Sequence, residues 1–141
     1  MYVATSKPKK WKIGAELINF YQNTEFSHVL IIDGELVYQA SHGMVNCMHI
    51  DNFLKDNTII YEYKICKKAV DMHFVRTQLG KKYSYTQILL LPIVKFFKIK
   101  YKVNDNSQFI CSEFVGKALK LDWVNDFTTP KEIDEYLKTI K

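Results

Sequence analysis

The stretch Ser27-His28-Val29-Leu30-Ile31-Ile32, then Asp33-Gly34, then Glu35-Leu36-Val37-Tyr38-Gln39-Ala40 leaves the first half of the chain little conformational freedom. Two runs rich in β-branched and aromatic residues around Asp-Gly predict an antiparallel hairpin, because a two-residue turn needs positive φ and glycine supplies it. With Asp33 and Gly34 as the loop, Ile32 faces Glu35 and His28 faces Gln39. Both polar side chains then point to one side of the sheet, with Cβ atoms about 5 Å apart. A turn one residue longer would set Ala40 opposite His28, so this pairing depends on turn type.

Other elements group around the hairpin. Val3 to Ser6 reads as a short strand, and Ile13, Leu17, Ile18, Phe20 and Tyr21 recur at helical spacing up to about Asn23. Met44 to Ile50 and Thr58 to Ile65 read as two more strands of an antiparallel meander, separated by a helical turn at 51–54 and a loop at 55–57. A helix is expected from Ala69 to a stop at Gly80, and a second from Tyr85 to Phe97, bent at Pro92. After a loop at 104–107, Phe109-Ile110-Cys111-Ser112-Glu113-Phe114-Val115 begins another helix. Thr129-Pro130-Lys131-Glu132 combines an N-cap, a first-turn proline and a capping-box glutamate ahead of a C-terminal helix.

A length of 141 residues suits one domain of the α+β class, spanning 1–141 without repeats or a Gly/Ser linker. Hydrophobic residues at 48% and charged residues at 25% exclude a disordered or fibrous chain. The three cysteines Cys47, Cys66 and Cys111 argue against a disulfide framework and for a reducing compartment. No secretory leader is recognisable before the basic stretch Ser6 to Lys12, and the apolar window Ile88 to Phe97 is too short to span a bilayer. A cytoplasmic location is therefore expected. The net charge of +5 favours anionic surroundings and names no partner.

Cys111 is the residue with the clearest chemical potential. In the first turn of a helix, unpaired N–H groups and the helix dipole lower a thiol pKa and can hold a developing oxyanion; the alternative is a buried cysteine packed as a small hydrophobe. A nucleophilic cysteine needs a base, and His28 supplies the side chain best matched to neutral pH. Gln39 could orient that imidazole by accepting a hydrogen bond from one ring nitrogen, leaving the other for Cys111. His42, close in sequence, is a second candidate orienter.

Four stretches together resemble the NlpC-like cysteine hydrolases, in their circularly permuted papain-like branch, where the histidine strand precedes the cysteine helix. They are Phe26-Ser27-His28-Val29, Val37-Tyr38-Gln39-Ala40, Leu79-Gly80-Lys81-Lys82-Tyr83 and Phe109-Ile110-Cys111-Ser112-Glu113-Phe114, followed by Thr129-Pro130 and a helix. The resemblance covers most of the chain in the family's order. It implies a small antiparallel sheet packed against helices, with Cys111 as nucleophile, His28 as base, and Tyr83 close to the nucleophile as an oxyanion or substrate contact. The backbone N–H of Cys111 or Ser112 would be a further oxyanion donor, and Glu113 completes the family's Cys-Ser-Glu pattern. Gln39 stands where permuted relatives carry a glutamate, and a neutral amide cannot stabilise imidazolium as a carboxylate does. The implied activity is hydrolysis of a peptide or isopeptide amide through an acyl-enzyme, without a cofactor. Lipid or thioester acyl hydrolysis or transfer uses the same nucleophile, and a non-catalytic basic binding domain on the same fold is the alternative.

Other features carry weaker signals. His42, Cys47, His49 and Cys66 lack the paired spacing of a zinc site, so no metal is expected, although Cys47 and His49 would share a strand face as an alternative pair. Lys7, Lys9, Lys10 and Lys12 around Trp11 form a small basic patch without a strong nucleic-acid signal. From Ile88 to Lys102, apolar blocks alternate with Lys95, Lys98, Lys100 and Lys102; this region could rest on an anionic surface if its apolar side is exposed.

Overall fold

The computed structural model describes residues 1–41, 43–99 and 107–140, so His42 and the segment 100–106, with most of the expected loop at 104–107, lie outside the described residues. Within them the chain runs β1 (Tyr2–Pro8), α1 (Ile13–Gln22), β2 (His28–Asp33), β3 (Leu36–Ser41), β4 (Met44–His49), α2 (Ile50–Asp56) and β5 (Asn57–Lys64). It continues through a 3-10 turn at Lys67–Ala69 to α3 (Met72–Thr77), β6 (Lys82–Tyr83), α4 (Tyr85–Phe97), β7 (Gln108–Phe109), α5 (Cys111–Ala118) and α6 (Pro130–Thr139). The class is α+β, built on a seven-stranded sheet in the order β5-β1-β2-β3-β4-β6-β7.

The hairpin forms where expected, with a different turn. Ile31 pairs with Tyr38 and Asp33 with Leu36, so the loop is Gly34-Glu35, with Gly34 at φ 62°. Carried along the strands, this register sets Leu30 and not His28 opposite Gln39. The shift is two residues, and an even shift leaves every side chain on its expected face. His28 and Gln39 therefore still share a face, as diagonal neighbours.

The sheet is larger than expected and is mixed. Strands β2, β3 and β4 form an antiparallel meander, but β5 crosses to the far side and pairs with β1. Bonded on both sides, β1 extends beyond the four residues its own pattern suggests. At the other end β6 and β7 pair in parallel, with Tyr83 beside Phe109. Two helix starts also differ. Asp71 accepts a hydrogen bond from the Phe74 N–H at 2.9 Å, so α3 begins at Met72 rather than near Ala69. Phe109 belongs to β7, so α5 opens at Cys111 itself. The capping box of α6 is present as expected: Thr129 Oγ1 accepts from the Glu132 N–H at 3.2 Å, and the Glu132 carboxylate accepts from the Thr129 N–H at 2.7 Å.

Both faces of the central strands are covered, which explains the unbroken Val-Leu-Ile-Ile run in β2. Val29, Ile31, Tyr38 and Ala40 pack against Phe114 and Val115 of α5 and Ile133 and Leu137 of α6. On the opposite face Ala4, Leu30, Ile32 and Val37 close over Phe53 of α2. A third cluster joins Leu91 and Val94 of α4 to Ile110 and Phe127, with Tyr21 of α1 against it.

Candidate active site

His28 opens β2, half-buried, and its Nε2 lies 2.7 Å from Gln39 Oε1. Which ring nitrogen carries the proton follows from the amides behind it. Asn46, directly across from Gln39 on β4, turns its Nδ2 toward the carbonyls of Ser41 and Met44 at 3.3 and 3.4 Å. An NH2 group must face acceptors, so Asn46 Oδ1 is left to accept from Gln39 Nε2 at 3.3 Å. Gln39 thus presents its carbonyl oxygen to the ring, and His28 Nε2–H donates. The neutral tautomer then has its acceptor lone pair on Nδ1. Gln39 is buried, so this alignment is held by packing as well as by hydrogen bonds.

Cys111 is the first residue of α5, delivered there by the turn out of β7. Backbone N–H groups of Val29, Ser112 and Cys111 itself present partial positive charge to the sulfur. Val29 follows His28 directly, so the sulfur meets the sheet at the start of β2. The helix N-terminus alone predicts a depressed thiol pKa; instead burial outweighs the N–H groups and pushes the thiol up from 9.0 to about 11. At rest this is a neutral thiol, because its 1% exposure strips away the water a thiolate needs.

Tyr83 lies near enough for a negative charge on Cys111 to raise its pKa, but burial is the larger cause holding the phenol well above its ordinary value. The hydroxyl therefore keeps its proton and is a donor. Its ring meets Tyr85 edge to face, with centroids 5.1 Å apart. Tyr83, His28 and Gln39 line one cavity of about 410 Å³, to which α1 contributes Ala15 and Ile18 and α4 contributes Tyr85 and Ile88. Cys111 itself is not in the cavity wall.

Two expected site residues also tie the scaffold together. The Ser112 hydroxyl donates to the Thr128 carbonyl, and both that side chain and the Ser112 backbone N–H lie against the Cys111 sulfur. Glu113, buried, accepts from Gln87 Nε2 at 3.0 Å and from Lys117 Nζ at 2.6 Å. Gln87 also donates to the Asp126 carbonyl at 2.7 Å, so this carboxylate ties α4 and the 126–128 segment to α5. It does not line the cavity.

Sequence reasoning missed Asn46; its signal was its position across from Gln39, which only the β3–β4 register reveals. Among the remaining candidates, Cys47 and Cys66 are exposed. His49 caps α2, its Nδ1 accepting from the Asp51 N–H at 3.2 Å, and its Nε2 lies 3.6 Å from Glu35. Among the described residues no three His, Cys, Asp or Glu side chains converge on a point that could hold a metal. His42 lies outside the described residues. No protein-family model matches the sequence, and no curated protein matches it.

Proposed function

We propose that the chain is a cysteine hydrolase of the permuted papain-like, NlpC-like type, acting on a peptide or isopeptide amide. The observation that carries this reading is the 2.7 Å bond from His28 to Gln39, which fixes the imidazole tautomer beside the segment that meets Cys111. His28 Nδ1 takes the thiol proton as the sulfur attacks the substrate carbonyl. The oxyanion is held by the Tyr83 hydroxyl and the Ser112 N–H. The imidazolium returns its proton to the leaving amine, which leaves an acyl group on sulfur; water, deprotonated by the same imidazole, then releases the acid and restores the thiol. A raised thiol pKa makes the base essential, since too little thiolate exists without it.

An acyl donor and an alkylating agent separate this reading from ordinary thiol chemistry. Treated with p-nitrophenyl acetate, the folded chain should carry acetyl on the Cys111 peptide, and His28→Ala should slow this by about 100-fold or more. Iodoacetamide gives the oxyanion donors nothing to hold. With it at pH 8, exposed Cys47 and Cys66 should react at least about tenfold faster than Cys111, because burial both shields the Cys111 sulfur and keeps it protonated. Acetylation confined to Cys47 and Cys66 would end the hydrolase reading. A panel of peptidyl aminocoumarin amides and acyl thioesters then assigns the substrate bond: release from amides that stops in Cys111→Ala supports a peptidase, and turnover of thioesters alone overturns it.

A further inference from the structure

Helices α1 and α4 wall the cavity with one side and turn an apolar stripe outward with the other. On α1 the inward side carries Ile18, Tyr21 and Gln22, while Ile13, Leu17 and Phe20, spaced to share a face, stand in solvent, Phe20 at 87% exposure. On α4, Gln87, Leu91 and Val94 point in; Leu89, Ile93 and Phe96 form the outward stripe, Phe96 at 77% exposure. Tyr21 packs against the cluster that holds Leu91 and Val94, so the two helices rest on one core and flank one cavity. Isolated exposed apolar residues need no explanation, but two helical stripes beside one cavity do.

Charge indicates what covers this surface. Along α4 the one charged residue is Lys95, which turns toward Glu132 at 2.7 Å. Glu16 is the sole carboxylate of α1. Exposed lysines border both stripes: Lys10 precedes α1 beside exposed Trp11, and Lys98 caps α4. Two copies of the chain brought together through this face would place lysines of like charge at one interface. An anionic lipid surface complements it, with apolar and aromatic side chains entering the acyl boundary while lysines meet headgroups. No helix among the described residues is long and apolar enough to cross a membrane, so the mode is lying on the surface.

We propose that the outward face of α1 and α4 docks on an anionic membrane surface. Both helices also wall the cavity, so docking brings it next to the headgroup layer. This does not rest on the hydrolase reading, and binding is measured without turnover.

The test is co-sedimentation of the full chain with vesicles of phosphatidylcholine alone and with about one third phosphatidylserine, alongside its mass in solution by light scattering. We expect binding to the mixed vesicles, at least tenfold weaker binding to phosphatidylcholine alone, and the same affinity in Cys111→Ala. The double substitution Phe20→Asp with Phe96→Asp should weaken binding at least tenfold at unchanged melting temperature, because both side chains are exposed. Lys10→Glu with Lys98→Glu should remove the preference for phosphatidylserine. Wild type remaining in the supernatant overturns the proposal, as does binding that survives the aspartate pair. A wild-type dimer that the aspartate pair converts to monomer also overturns it, because the face then joins two copies of the chain.

Discussion

Helices α4 and α5 invert the relation expected between apolar character and burial. Nearly every side chain of α4 is apolar, yet of its thirteen residues Gln87, Leu91 and Val94 are the buried ones. Helix α5 contains Ser112, Glu113 and Lys117, yet seven of its eight residues are buried. What differs is the neighbours. Helix α5 lies across β2 and β3 with α3 and α6 beside it, and each buried polar group there has a partner. Among the described residues helix α4 has packing on one side only. Composition supplies the tendency to leave water, and the surrounding elements decide whether it is met.

The contrast can be broken most directly with one phenylalanine from each helix. Phe114→Ala in α5 should cost about 3–5 kcal/mol, because the side chain is fully buried between sheet and helices. Urea unfolding measures it, and a loss under about 1 kcal/mol would mean that α5 is not the centre of the core.

Alkaline pH probes the same burial. The Cys111 thiol is pushed up to about 11 in the fold from 9.0, so the unfolded chain releases its proton first as pH rises. The stabilisation is fully present below pH 9 and is lost between about 9 and 11, by about 2–3 kcal/mol. Burial also raises Tyr38 and Tyr63, so wild type should weaken at high pH overall. The comparison with Cys111→Ala isolates the thiol: the two proteins should converge in stability on going from pH 8 to 10.5, and parallel curves would refute the buried neutral thiol.

Gln87 is the polar residue through which α4 touches α5. Gln87→Ala leaves the Asp126 carbonyl and a Glu113 oxygen without their donor, which should cost about 1–3 kcal/mol. An unchanged denaturation midpoint would show that Lys117 alone satisfies Glu113. The smallest effect is expected at the outward face of α4: Phe96→Ser should change stability by less than about 0.5 kcal/mol, checked by the same unfolding curves. A larger loss would mean that the outward stripe is packed in solution.

Much of the local structure was legible because its causes are local. Gly34 turned the hairpin and Thr129-Pro130 with Glu132 made the α6 capping box, whereas the helix expected to stop at Gly80 ends at Thr77, with Gly80 at φ 85° in the turn that follows. The turn type was not legible, since Asp33-Gly34 and Gly34-Glu35 both accommodate glycine at positive φ. Face sharing between His28 and Gln39 survived that error only because the shift was even. Pairing partners of β5, Asn57 to Lys64, lay beyond reach for another reason: strand order is chosen by contacts distant in sequence, and its own residues suit either edge.

The sequence by itself determined that Cys111 sits in the first turn of a helix and that His28 and Gln39 occupy one face of a hairpin, because periodicity and turn chemistry act over a few residues. Only the tertiary structure decided the protonation state of Cys111, the tautomer of His28 and the use of Glu113 as a tie. Each depends on which groups displace water around it: the packing that buries the sulfur, Asn46 behind Gln39, and Gln87 arriving from another helix. The same holds for α1 and α4, whose amphipathic pattern foretold a buried stripe but could not foretell that the most apolar one would stay in solvent.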